Sequence, residues 1–194
     1  MNLKVLAALS LYALAFGFTT AHAQRPMCGF TQGGGFAQEP AHPDRGAAFQ
    51  EVVAICRVHG AAPIPVFSQR GVNNALAFPP VLNRTGYIVF DPDFFNGIVA
   101  RHGRAATVGI LAHEVGHILT GIRVPNMIAD WSDEARADYF AGYTLARMNI
   151  SRRGVQSWLA TEGFFPSHRH PDGFTRIQIV ENGYIAGGGN PFSR

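Results

Sequence analysis

His113, Glu114 and His117 stand in the run His-Glu-Val-Gly-His within the 194-residue chain, and these residue types at this spacing suit metal chemistry. On a helix, positions four apart differ by about 40° in direction and one turn in height. Both imidazoles can therefore reach one ion from the same face. Glu114, next to the first histidine, can approach an open coordination position and act as a general base toward a water there. One zinc ion per chain is the expected cofactor, bound through His113 and His117.

A third protein ligand is required, and the sequence discriminates between ways of supplying it. A metzincin would continue with glycine three residues after the second histidine and another histidine three later. Thr120 and Arg123 occupy those positions, which excludes that class. The alternative is a carboxylate from the next helix, as gluzincins use. Glu134 lies near the start of that helix, and Gly121 to Asp130 gives the chain room to reverse. Gly116 on one helix, with Ala137, Ala141 and Gly142 on the other, would allow close approach. Glu134 is thus the expected third ligand. Asp138, one helical turn later, is placed to accept the outward N–H of His113, as carboxylates commonly do for metal-bound histidines. The plainer reading of Glu134 and Asp138 is a pair of solvated charges beside Arg136.

The elements that must position these residues can be read from periodicity and punctuation. Ala47 to His59 suits a short helix, with apolar residues at 49, 52, 53 and 56. Pro63 to Phe67 and Val72 to Phe78 read as extended segments, and Tyr87–Phe90 is a β-rich run between Gly86 and Asp91-Pro92. Asp93 to Arg101 and Arg104 to Thr120 read as helices interrupted by Gly103. Ser132 can cap a further helix running to about Met148, with Asp133 and Glu134 in its favourable first turn. Ser151 opens another, and a last one is expected from Asp172 to Asn182. Strands followed by helices predict an α+β domain with a small antiparallel or mixed sheet.

Composition narrows the setting. Nearly half of the residues are apolar and 15% are charged, as suits a folded domain. The net charge is +3, with Lys4 the only lysine and the arginines scattered, so no concentrated basic face for nucleic acid is expected. Lys4, the apolar stretch Val5 to Phe18 and Ala21-His22-Ala23 read as a signal peptide over 1–23, cut before Gln24. The stretch is shorter than the roughly 20 residues a spanning helix needs, so stable membrane insertion is not expected after cleavage. Export to the periplasm or outside the cell follows from that reading. Residues 24–46, rich in glycine and proline, are expected to be a flexible arm, 47–184 the folded domain, and 185–194 a disordered tail. Cys28 and Cys56, the two cysteines, are a candidate disulfide in an oxidising compartment.

Three groups of residues carry a resemblance. His113–His117, then Glu134-Ala-Arg-Ala-Asp138 with Ala141-Gly142, then His170-Pro171 with Arg176-Ile177, resemble the landmarks of gluzincin peptidases of the heat-shock membrane protease and CAAX prenyl protease family. Val72-Asn73-Asn74-Ala75 is similar to that family's Asn-Ala segment. The resemblance covers roughly residues 63–184. It implies a zincin-like metallopeptidase fold, a small sheet packed on a helix bundle carrying the HExxH helix, with a sheet edge beside the cleft where an extended peptide could add as a strand. It further implies a zinc endopeptidase acting on polypeptides, with His170 as the oxyanion donor and His168 as the alternative. Arg176 is expected to orient Asp138 or His170, and Tyr139 and Tyr143 are weaker candidates or core residues. Many family members are membrane-embedded, so prenylated-protein processing is not carried over. Two other function classes stay open: a zinc hydrolase of a cell-wall peptide or non-protein substrate, and a non-catalytic zinc-binding interaction module.

Overall fold

Alternation in the run Ala75–Phe78 decides how sheet and helices meet. Successive side chains in a strand point to opposite faces. Ala75 and Ala77 therefore share one face, where both are fully buried, while Leu76 and Phe78 join Val72, Val89, Phe67 and Tyr87 in a small cluster on the other. Two alanines present a thin surface, and the helix bearing the histidines packs directly against it. The computed structural model describes residues 41–80, 85–119, 124–127, 132–162 and 171–192.

Within those residues the chain is α+β, with six helices and a four-stranded mixed sheet. The order is β1 (His42–Pro43), α1 (Ala47–Val58), β2 (Val66–Ser68), β3 (Ala75–Phe78), β4 (Tyr87–Phe90), α2 (Pro92–His102), α3 (Arg104–Ile118), α4 (Asp133–Arg147), α5 (Arg153–Thr161) and α6 (Gly173–Ala186). Strand order is β1-β2-β4-β3. β2 and β4 run parallel, with Phe67 opposite Val89; β3 and β4 run antiparallel, with Ala77 opposite Ile88. β3 is thereby an edge strand.

Local chemistry explains the helix starts. Asp91 accepts the Asp93 N–H and is followed by Pro92, a residue suited to the first helical position. Ser132 accepts the Ala135 N–H at the start of α4, and Asp172 accepts the Thr175 N–H at the start of α6. α3 carries buried residues on all sides, the mark of a helix enclosed by its neighbours. It touches β3 and β4, α1, α2, α4 and α5. Close approach depends on glycine at two of these seams. A Cβ on Gly109 would lie 2.8 Å from Val155 Cβ, and one on Gly116 would lie 3.2 Å from Ala137 Cα.

Three expectations are altered. The arm assigned to 24–46 ends in structure: His42 and Pro43 pair with Ser68 and Phe67, and Asp44 accepts the Gly46 and Phe49 N–H groups at the start of α1. Gly142 faces α6 rather than α3, where a Cβ would overlap the Val180 carbonyl. The tail assigned to 185–194 is tied to the fold through Pro191. α6 continues through Ala186, and the Arg152 guanidinium donates to the Asn190 and Pro191 carbonyls and stacks over Tyr184. Polar glycine-rich sequence carries no sign of this, because Arg152, just before α5, lies far off along the chain. Among the described residues no helix is long and apolar enough to cross a membrane. Residues 1–23 lie outside the described residues, as does Cys28; its expected partner Cys56 is fully buried in α1.

Candidate metal centre

α3 and α4 lie side by side, with Gly116 against Ala137 and Phe140. That contact sets His113 and His117 opposite Glu134, and all three are at least 95% buried. His113 Nε2 and His117 Nε2 are 3.0 Å apart. Glu134 Oε2 lies 3.2 Å from the first and 3.4 Å from the second. A tetrahedral ion with bonds of about 2.0–2.1 Å separates its ligand atoms by about 3.3 Å. The triangle therefore has the size of one face of such a tetrahedron, and these three residues could hold a metal ion.

Charge makes the same point independently. Among the described residues, Glu114, Glu134 and Asp138 are buried here together with the Arg176 guanidinium. A divalent cation at the triangle would offset that concentration of carboxylates. Buried charge without compensation is costly, and groups take up protons instead. Burial pushes the Glu114 carboxyl up to about 8, with the His113 charge opposing that rise and Glu134 adding to it. Burial also disfavours the His113 imidazolium, but the charge and hydrogen bond of Asp138, joined by Glu134, outweigh it and raise the group to about 9. His117 is lowered by burial, partly offset by Glu134. Protons and a metal ion compete for the same place, so metal affinity is expected to fall as pH falls.

Behind the triangle the polar groups are paired. His113 Nδ1 lies 2.8 Å from Asp138 Oδ1, and Arg176 donates to both Asp138 oxygens at 2.8 Å. Burial works against the ionised Asp138, but Arg176 and then His113 hold it well below the usual carboxylate range. An ionised carboxylate only accepts, so His113 Nδ1 carries the hydrogen and Nε2 is left as the ligand atom. Arg176 reaches this place because α6 is pressed against α4: a Cβ on Gly183 would overlap the Tyr139 carbonyl.

Glu114 differs from these paired groups. It is fully buried, and neither oxygen has a hydrogen-bond partner. The Ala77 N–H of β3 is near enough to favour its ionised form but falls short of hydrogen-bond geometry. A buried polar group left this way calls for an explanation, and a reacting water or substrate group is one. His117 Nδ1 is also buried without a partner.

The structure thus brings His113, Glu114, His117, Glu134, Asp138 and Arg176 into one cluster. Tyr139 is placed otherwise: it is buried, and its hydroxyl donates to the Pro125 carbonyl at 2.7 Å. Tyr143 lines the α4–α6 seam and faces His59. His168 and His170 lie outside the described residues. Sequence reasoning did not single out Ala77; its only signal was a small residue alternating with large ones in a strand. No family model matches the chain, and no curated protein or solved structure does either.

Proposed function

We propose that the chain is a zinc-dependent endopeptidase of zincin-like fold that cleaves exported or misfolded polypeptides. The observation that carries the reading is the conjunction of three converging ligand atoms with an unpartnered, fully buried glutamate beside them. A purely structural metal site closes all its positions with protein ligands and has no use for such a base.

A zinc ion bound there would acidify a water and polarise the scissile carbonyl. Glu114 is the residue that would take a proton from a water at that position and deliver it to the departing amine nitrogen. A cation held by His113, His117 and Glu134 would favour the ionised Glu114 carboxyl, which burial otherwise disfavours. Asp138 and Arg176 hold the His113 ring in the tautomer that offers Nε2. β3, the sheet edge packed on α3, offers backbone along which an extended polypeptide could pair. His170, or His168 in its place, serves as the oxyanion donor in this proposal. Removal of residues 1–23 on export and a Cys28–Cys56 bridge belong to the same proposal.

The test is hydrolysis of casein by the purified mature chain. Glu114→Gln should keep its metal and lose at least a hundredfold in rate, the scale of general-base contributions. Equal hydrolysis by the variant would overturn the proposal. A panel adding cell-wall peptides and simple esters identifies the substrate class.

A further inference from the structure

A second set of chemistry-bearing side chains lies at the seam between α2 and α5. Ser157 Oγ is 3.0 Å from His102 Nδ1, and His102 Nε2 is 2.8 Å from Glu162 Oε1. Arg101 grips the same carboxylate with two hydrogen bonds, Nε to Oε1 at 2.8 Å and a terminal nitrogen to Oε2 at 3.0 Å. That guanidinium, foremost, holds the Glu162 carboxyl below its usual range. An ionised carboxylate can only accept, so His102 Nε2 carries the hydrogen. Nδ1 is then a bare acceptor, and the Ser157 hydroxyl donates to it. Hydroxyl, base and a third group that fixes the base's tautomer are the parts from which an activated nucleophile is made.

Access fits the same use. Ser157 is exposed, whereas the His102 side chain is 7% exposed and held from both ends. One turn before Ser157, a Cβ on Gly154 would lie 2.6 Å from the Ala106 nitrogen in the first turn of α3. That contact seats α5 against the start of α3.

We propose that Ser157 is a nucleophilic serine, a second reactive centre that takes an acyl group from small activated esters. Ser157 Oγ bonds to the ester carbonyl carbon as its proton passes to His102 Nδ1. The carbon–oxygen bond to the leaving group breaks, and the leaving phenol or alcohol takes that proton from His102. The products are an acylated Ser157 and the free phenol or alcohol, with His102 and Glu162 returned to their starting states. Hydrolysis at the metal centre does not enter, because the readout is the acyl group on the protein.

The experiment treats the purified mature chain with p-nitrophenyl acetate and maps acetylation by peptide mass spectrometry over time. Ser151, exposed and outside any histidine pair, is the internal reference. Ser157 should acetylate about a hundredfold faster than Ser151, as a positioned general base provides. His102→Gln should bring it down to the Ser151 rate, and Glu162→Gln should slow it in part. Ser157 acetylating no faster than Ser151 in the unsubstituted chain would overturn the proposal, whatever the variants do. So would an unchanged Ser157 rate in His102→Gln.

Discussion

Two clusters in this fold combine histidine with glutamate, and they resolve their charges in opposite ways. Inside, His113, His117 and Glu134 aim three acceptor atoms at one point, and Glu114 beside them keeps both oxygens unpaired. At the seam of α2 and α5, each member of the chain Ser157, His102, Glu162 and Arg101 is bonded to the next. The inner set gathers three buried carboxylates around the ligand triangle, where a metal cation would offset them. The outer set contains its own cation in Arg101. Residue type does not separate the two; convergence and burial do.

The largest separation between the clusters should come from removing each one's arginine partner or its carboxylate. Arg176→Met leaves Asp138 charged and buried, a defect worth roughly 3–5 kcal/mol in stability. It should also weaken metal binding about 10- to 100-fold, because His113 loses its orienting partner. Chemical denaturation and competition against a metal chelator read the two effects. Wild-type values in both would show that the inner cluster is no more demanding than the outer one.

A fourth histidine sharpens the contrast by having no carboxylate partner among the described residues. His59, at the end of α1, bonds the Thr144 hydroxyl at 2.8 Å and stacks on Phe140. Thr144 already donates to the Phe140 carbonyl, so His59 Nε2 is the donor. Burial, with help from Arg147, lowers His59 to about 4. The unfolded chain, near 6.5, then binds the proton more tightly than the folded one. Stability from this group is complete above about pH 6.5 and declines as pH falls toward 4. His59→Gln should flatten that part of the thermal midpoint against pH, measured with chelator present so that metal release does not contribute. An equal slope in both proteins would place the acid sensitivity elsewhere.

The smallest effect is expected at the surface. Glu162→Gln should leave thermal midpoint and metal affinity close to wild type, since exposed ion pairs contribute little to stability. A large loss in either would make the outer cluster structural and erase the contrast.

What could be read from the sequence followed from local spacing. His113 and His117 share a helix face because they are four apart, and Ser132 starts α4 where a hydroxyl precedes Asp133 and Glu134. The pairing of Glu134 with that face was legible because small residues on both helices permit contact. Gly142 was legible as a close-packing residue but not in its direction, since a glycine is small toward every neighbour. The pairing of β1 with β2 was hidden by a two-residue strand that carries no alternation. The order of 187–192 was hidden for a different reason, because it comes from Arg152 in another part of the chain. Ser157, His102 and Glu162 likewise meet only through the packing of α2 on α5, which spacing along the chain does not record.

The metal triangle itself is tested most directly by metal content. The purified chain of residues 24–194, dialysed against dilute zinc and measured by elemental analysis, should hold one zinc per chain. Glu134→Ala, with its fold checked by circular dichroism, should lose most of it. A chain that binds no zinc, or a Glu134→Ala variant that retains it fully, would contradict the assignment of His113, His117 and Glu134 as its ligands.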